Sequence, residues 1–162
     1  MDMLVNKKSI FCSLIIFICC VLTSCAPMVN AHKEAEEAVA AVIEYVNKDD
    51  PEGLINLFCD DVKENYELTS EVEKLFDMFD SDITSYDITA LSSEKKSDRS
   101  GKGYYCIKAI VFAKAGNNEY RIEVSKTIYN DKKAQRMGLT TVMAMDENVK
   151  EMLFVGEVNV FT

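Results

Sequence analysis

The chain has 162 residues and a formal net charge of −9, with 18 Lys and Arg against 27 Asp and Glu. This length fits a short leader and one domain with a single hydrophobic core. An acidic domain lacks the basic face that nucleic-acid binding needs, so we expect no DNA or RNA partner. Anionic lipid headgroups also repel such a domain, so we expect any membrane attachment to come from covalent lipid.

The N-terminus has the three parts of an export signal. Lys7 and Lys8 precede an uncharged apolar run of 13 residues, Ile10–Leu22, which is too short for a standard membrane-spanning helix. The next residues are Thr23, Ser24 and Cys25. Together with Leu22 they resemble the lipobox of bacterial lipoproteins, where small residues precede a cysteine whose thiol becomes a thioether to diacylglycerol.

This resemblance implies cleavage before Cys25 and acyl chains such as palmitate on that cysteine. Residues 1–24 are then a signal peptide, residues 25–32 a lipidated tether, and residues 33–162 a single domain. Two or three acyl chains hold a protein stably on a membrane. We therefore predict a location on the extracytoplasmic face of the cell membrane. The alternative is an ordinary secretory signal that happens to contain Cys25.

The first part of the domain has helical periodicity. Apolar residues recur at spacings of three and four, and polar residues fall on the other side. Asp50 is a suitable N-cap before Pro51, and Ser70 with Glu73 has capping-box spacing. The pattern predicts three helices, over Lys33–Lys48, Pro51–Cys59 and about Ser70–Phe79.

After Asp80 the pattern changes to alternation with a period of two, which is typical of strands. The predicted strands cover Ile83–Leu91, Tyr104–Lys114, Glu119–Tyr129, Gly138–Met145 and a part of residues 149–161. Residues 92–102 and 130–136 are predicted as polar loops. Helices followed by hairpin-linked strands predict an α+β fold, in which three N-terminal helices pack on an antiparallel meander sheet.

This layout resembles the cone-shaped fold of nuclear transport factor 2 and ketosteroid isomerase, where helices close over a strongly curved sheet. The segment Ala38–Phe58 (AVAAVIEYVNKDDPEGLINLF) with Cys59 resembles the start of a bacterial lipoprotein family, domain-of-unknown-function family 5104. Ile83–Tyr86 and Met137–Leu139 add to the likeness, which covers most of residues 33–145. The resemblance implies a fold and an envelope location, and it brings no activity or catalytic residues.

Few residues in the sequence suggest catalysis. His32 is the sole histidine and lies beside the proposed anchor, which disfavours a Ser–His or Cys–His pair and a zinc site. The acidic clusters lack the spacing of a calcium loop. We expect no metal and no cofactor. Cys59 and Cys106 are a candidate disulfide, and the favoured alternative is two buried free thiols.

The cone-shaped fold suggests one enzymatic site. Such cones hold pockets in which a Tyr and a carboxyl group stabilise an enolate, and here Tyr45, Tyr86, Asp87 and Tyr105 are the candidate lining. The favoured alternative is that these tyrosines close the core and place their hydroxyl groups at its edge.

Three functions remain open from the sequence. The preferred one is a non-enzymatic envelope binding domain for an unknown small molecule or envelope protein. The alternatives are a lyase or isomerase that uses the cone cavity, and a homodimeric assembly module. An exposed apolar patch that includes Tyr104, Phe112 and Tyr129 would favour a protein partner.

Overall fold

A computed structural model of the protein describes residues 29–157. The helices are α1 (Ala31–Asn47), α2 (Pro51–Leu57), α3 (Asp60–Asn65) and α4 (Leu68–Asp77). The strands are β1 (Ile83–Ser97), β2 (Gly103–Ala115), β3 (Asn118–Asn130), β4 (Gly138–Asp146) and β5 (Met152–Gly156), and a 3-10 turn covers Ala134–Arg136. The α+β order of helices followed by strands is confirmed, with four helices instead of three. None of the described helices is long and apolar enough to cross a membrane.

The five strands lie side by side in chain order and are antiparallel throughout, so the predicted meander is confirmed. Alternate residues of the central strands face the helices and are buried with them; we call this the inner face. It includes Ile107, Ala109, Val111, Ala113, Ile122 and Val124. The opposite, outer face carries charged and exposed side chains such as Lys108 and Phe112. One core therefore lies between the helices and the inner face.

Helix α1 crosses the inner face and is held near both of its ends. In its first turn, Glu34 pairs with Lys126 of β3 at 2.7 Å. At its last residue, the Asn47 side chain donates to the Ile83 carbonyl (2.9 Å) and accepts from the Ile83 N–H (2.8 Å). These contacts fix the direction of α1, which runs from β3 towards the start of β1.

The predicted second helix, Pro51–Cys59, ends two residues earlier than expected, and an additional short helix follows it. Asp50 caps α2 by accepting from the Gly53 N–H at 2.8 Å, as predicted. The helix ends at Leu57, because Phe58 is extended and bridges to Leu139, and the Cys59 N–H donates to the Leu139 carbonyl at 2.9 Å. Cys59 then becomes the N-cap of the additional helix α3.

Two segments of the chain approach each other closely at this junction, where Gly138 has a φ of +132°. A Cβ on Gly138 would lie 3.0 Å from both the Leu57 carbonyl oxygen and the Cys59 nitrogen. Only glycine combines this backbone conformation with so small a space. The glycine therefore allows the α2–α3 junction to pack directly against the start of β4.

The predicted capping box of the third helix is wrong. Helix α4 begins at Leu68 with Glu67 as its N-cap, and no side chain caps it. The Ser70 hydroxyl instead donates back to the Glu67 carbonyl at 3.4 Å. Helix α4 ends at Asp77. The ring of Phe79, which follows, packs against the ring of Tyr120 in β3. The apolar stripe placed the helix correctly, but the local polar spacing did not locate its start.

Strand β1 is longer than predicted. It continues to Ser97, which pairs with Gly103, so the predicted loop 92–102 shrinks to residues 98–102. Most β1 residues are exposed on both faces of this edge strand. Without a buried face the sequence has no apolar alternation there, and pairing with β2 extends the strand instead.

Candidate functional site

Two connections meet at one end of the sheet, which we call the loop end: the β1–β2 turn (residues 98–102) and the β3–β4 connection (residues 131–137). The Gly103 N–H donates to the Asp131 carboxylate, and the Asp131 N–H donates to the Gly103 carbonyl, both at 2.9 Å. Lys132 Nζ lies 2.8 Å from Asp98 Oδ2. These contacts join the two connections into one structural unit.

Asp98 organises the β1–β2 turn. Its carboxylate accepts from the Ser100 N–H (2.9 Å), the Ser100 hydroxyl (2.6 Å) and the Lys102 N–H (3.2 Å). Lys132 and Ser100 hold the pKa of Asp98 well below its ordinary value, because they bond the ionised form. Gly101 has a φ of +82°, which the tight turn requires. The Asp98 carboxylate therefore makes its bonds within the two connections and orders them.

A groove of about 440 Å³ lies between these connections. We call it the cationic groove, since five of its ten lining residues are Lys or Arg and one is a carboxylate. The lining consists of Lys96, Ser97, Asp98, Lys102, Gly103, Tyr104, Asn130, Lys132, Lys133 and Arg136.

Some of these cations are paired and others are not. Lys96 pairs with Glu94 at 2.6 Å, and Glu94 raises the pKa of Lys96. Arg136 pairs with Glu157 and approaches Asp61 at 3.6 Å. Within residues 29–157, Lys102 and Lys133 have no ion-pair partner.

Lys102 and Lys133 therefore give the groove an excess of positive charge. The charge also extends beyond the lining: residues 95–102 and 132–136 hold seven of the 18 Lys and Arg of the chain. The net charge of the whole chain does not reveal this local excess of positive charge. The signal was visible in the segments KKSDRSGK and DKKAQR, which were interpreted only as polar loops.

A second groove lies between α1 and β1, and we call it the acidic groove. Its volume is about 490 Å³, and it includes two of the predicted pocket residues, Tyr86 and Asp87. The complete lining is His32, Glu36, Glu37, Ala40, Tyr86, Asp87 and Ile88. His32 lies in α1, so the helix begins within the predicted tether 25–32.

The other two predicted pocket residues lie elsewhere. Tyr86 pairs with Ala113, and Tyr105 is eight residues away along β2, or about 26 Å. The Tyr105 ring instead lies 6.0 Å from that of Tyr129. Tyr45 packs against α2, where a Cβ on Gly53 would lie 2.2 Å from its ring. The structure thus does not bring the four residues into one cavity, and its geometry gives no support to an enolate site.

Cys59 and Cys106 are both buried free thiols, so the candidate disulfide is not formed. Cys106 Sγ lies 3.3 Å from the Thr127 hydroxyl in the adjacent strand. Burial raises the pKa of both thiols, because it disfavours the thiolate. This is the inert form that the sequence analysis gave as the alternative.

The outer face combines an ion-pair cluster with exposed apolar residues. Lys108 and Arg121 both pair with Glu123. Phe112 is 43% exposed, and Phe154 of β5 is 40% exposed. Tyr104 and Tyr129, the other two candidate members of such a patch, are only partly exposed. Among residues 29–157, no three His, Cys, Asp or Glu side chains are placed to hold a metal ion together.

The fold and the grooves define a class: an α+β domain with four N-terminal helices on one face of a five-stranded antiparallel meander. Residues 41–147 match the model of the family described as Domain of unknown function (DUF5104), and the chain belongs to this family. No curated protein matches the sequence. The matched region runs from within α1 to just after β4 and includes both connections of the cationic groove. Cys25 lies outside it and outside the described residues, so its lipidation stays a prediction.

Proposed function

We propose that this protein is a lipid-anchored envelope protein whose domain binds an anionic ligand in the cationic groove without catalysing a reaction. One observation carries the binding site: five Lys and Arg line a single groove in a chain whose net charge is −9. The anchor rests on the lipobox-like residues that end at Cys25.

The groove has the chemistry for holding phosphate or carboxylate groups. Lys102 and Lys133 supply charge that no carboxylate among residues 29–157 neutralises. Arg136 also lines the groove, but its guanidinium already pairs with Glu157 and approaches Asp61, so it adds less charge for a ligand. The contacts of Asp98 and Asp131 hold both connections before any ligand arrives, which lowers the entropic cost of binding.

The lining favours binding over catalysis. Ser97 and Tyr104 are the hydroxyl-bearing residues of the groove, and its lining contains no histidine to activate a nucleophile. Asp98, its one carboxylate, already accepts three hydrogen bonds from the turn and pairs with Lys132. What the groove offers a ligand is positive charge and hydrogen-bond donors.

Binding is tested on a fragment of residues 29–162, which contains all the core residues that the structure describes. Titration calorimetry with inorganic pyrophosphate should give saturable binding that weakens with salt. The variant K102E/K133E should lower the affinity at least about tenfold, since each lysine contributes on the order of 1 kcal/mol. K74E changes an exposed lysine of α4 and should bind like the unmodified fragment. Equal loss in K74E and K102E/K133E would refute a localised site.

The anchor is tested separately in cells that make the full chain. C25A should accumulate as a longer precursor that takes up no labelled palmitate, because the lipidated thiol is lost. A variant with C59A serves as the control and should be processed normally. Processing and labelling of C25A at the same bond would contradict the proposed anchor.

A second candidate function is assembly into a homodimer through the outer face. The exposed Phe112, Met152 and Phe154 favour it, since exposed aromatic residues and Met are typical of interface cores. Light scattering of the fragment should then give twice the monomer mass, and F112S should lower it. A monomeric mass across the micromolar range would exclude this candidate.

A further inference from the structure

We propose that the cationic groove binds the phosphate groups of anionic phospholipids in the membrane that carries the anchor. The inference rests on the proposed function and names its ligand class. It departs from the sequence analysis, where the net negative charge predicted repulsion from such a membrane.

The chain enters the domain at the first turn of α1, which contacts β3. Glu34, in the first turn of α1, is bonded to Lys126 of β3. Lys126 is four residues from Asn130 at the loop end and eight from Asn118 at the other end of the strand. At about 3.3 Å per residue these separations are about 13 Å and 26 Å. Glu34 therefore lies nearer to the loop end of β3, while His32 lines a groove with Tyr86 and Ile88 in the other half of β1, so the chain enters over the middle of the sheet.

The connection between Cys25 and the domain is short. Cys25 is six residues before Ala31, the first residue of α1. Six extended residues span at most about 20 Å. With lipid on Cys25, a connection of this length allows the loop end to reach the headgroups.

The surface of the loop end combines exposed cations with an exposed apolar residue. Lys102, Lys132 and Lys133 are exposed there, and so is Arg99 in the turn. Met137 follows Arg136 and is 50% exposed. Cations beside an exposed apolar residue are typical of surfaces that lie in a membrane interface, where the apolar group enters the acyl boundary and the charges bond phosphates.

The acidic part of the surface is consistent with this orientation. Glu36 and Glu37 of α1 and Asp87 of β1 line the acidic groove and not the loop end. The loop end also holds the carboxylates of Asp98 and Asp131, but both are bonded within the two connections, so Lys102 and Lys133 remain there to attract an anionic membrane. The net charge of the whole chain does not describe that interaction.

The test is a lysine footprint on a membrane-tethered chain. Residues 25–162 are joined through Cys25 to a maleimide lipid, because Cys59 and Cys106 are buried and remain unreactive in the folded domain. The conjugate is placed in vesicles of phosphatidylcholine, with or without 30% phosphatidylglycerol, and treated with an acetylating reagent. Mass spectrometry then measures acetylation at each lysine.

Lys102 and Lys133 should be acetylated at least about fivefold more slowly when phosphatidylglycerol is present, and Lys74 should react equally in both vesicles. Protection should fade at high salt, because exposed charges are screened. M137S should also reduce it.

Two outcomes would overturn the inference, and they separate it from the proposed function. If pyrophosphate protects Lys102 and Lys133 while phosphatidylglycerol does not, the groove binds a soluble anion and the lipid assignment fails. If neither protects them, the proposed anion site fails as well.

Discussion

The two grooves of this protein have similar volumes and opposite charge. The cationic groove lies between two connections at the loop end and is lined by five Lys and Arg. The acidic groove lies between α1 and β1, and three of its seven lining residues are Asp or Glu. The difference teaches that the net charge of a small domain does not identify its ligand, because the excess charge of one sign can lie away from the site.

The largest expected effect concerns the backbone beneath the cationic groove. A Cβ on Gly103 would lie 2.0 Å from the Lys96 carbonyl oxygen, so G103A must separate β1 from β2 at this point. We expect a loss of about 2–3 kcal/mol in the free energy of unfolding, measured by urea titration.

The matched control for G103A is G101A in the adjacent turn. Gly101 has a φ of +82° but nothing within 4 Å of its Cβ position. G101A should therefore cost only the backbone strain, about 1 kcal/mol. If G101A destabilises the domain more than G103A, the close contact between β1 and β2 is not what holds the groove together.

The second effect compares charge reversal in the cationic groove with charge reversal in the acidic groove. Reversing Lys102 and Lys133 should weaken pyrophosphate binding at least about tenfold, as stated above. E36K/E37K reverses two exposed charges that do not line the cationic groove and should raise the affinity less than about threefold, because exposed charges are largely screened at the salt concentration used. Calorimetry at 0.15 M salt measures both. A large gain in E36K/E37K would mean that total charge, and not the groove, governs binding.

The smallest effect concerns the pH dependence of the β1–β2 turn. The folded-state pKa of Asp98 is lowered from 3.8, so its bonds to Lys132 and Ser100 are complete above that value and are lost as the pH falls towards the folded-state pKa. The protection of the Ser100 and Lys102 amides, measured as the exchange rate relative to the intrinsic rate at the same pH, should therefore decrease below about pH 4. In D98N this protection should be low at all pH values. An unchanged profile in D98N would show that Asp98 does not order the turn.

Part of the fold followed from local sequence. Asp50 and Pro51 marked the start of α2 correctly, because an N-cap and an N1 proline act through neighbouring atoms. Helix α3 was missed, since the break at Phe58 and Cys59 comes from contacts with Leu139, which is 80 residues further along the chain. The second half of β1 was missed because exposure on both faces leaves no periodic pattern.

The candidate site followed less well from the sequence. The predicted pocket of Tyr45, Tyr86, Asp87 and Tyr105 relied on a fold resemblance, which does not specify where along a strand each side chain lies. Tyr86 and Tyr105 share no groove, since they lie near opposite ends of the sheet. The cationic groove arises from pairing between β1, β2 and β3, which brings two loops together that are about 30 residues apart.

The packing of α4 on β5 has a consequence for how the chain folds as it is synthesised. Helix α4 contacts the last described strand, and the Gly156 N–H donates to the Glu71 side chain at 2.9 Å. These partners are separated by 85 positions, so α4 emerges long before the strand that covers its apolar stripe. The apolar stripe of α4 therefore stays exposed until β5 has been synthesised. Shortening the chain before Met152 should therefore leave an aggregation-prone intermediate and not a smaller stable domain.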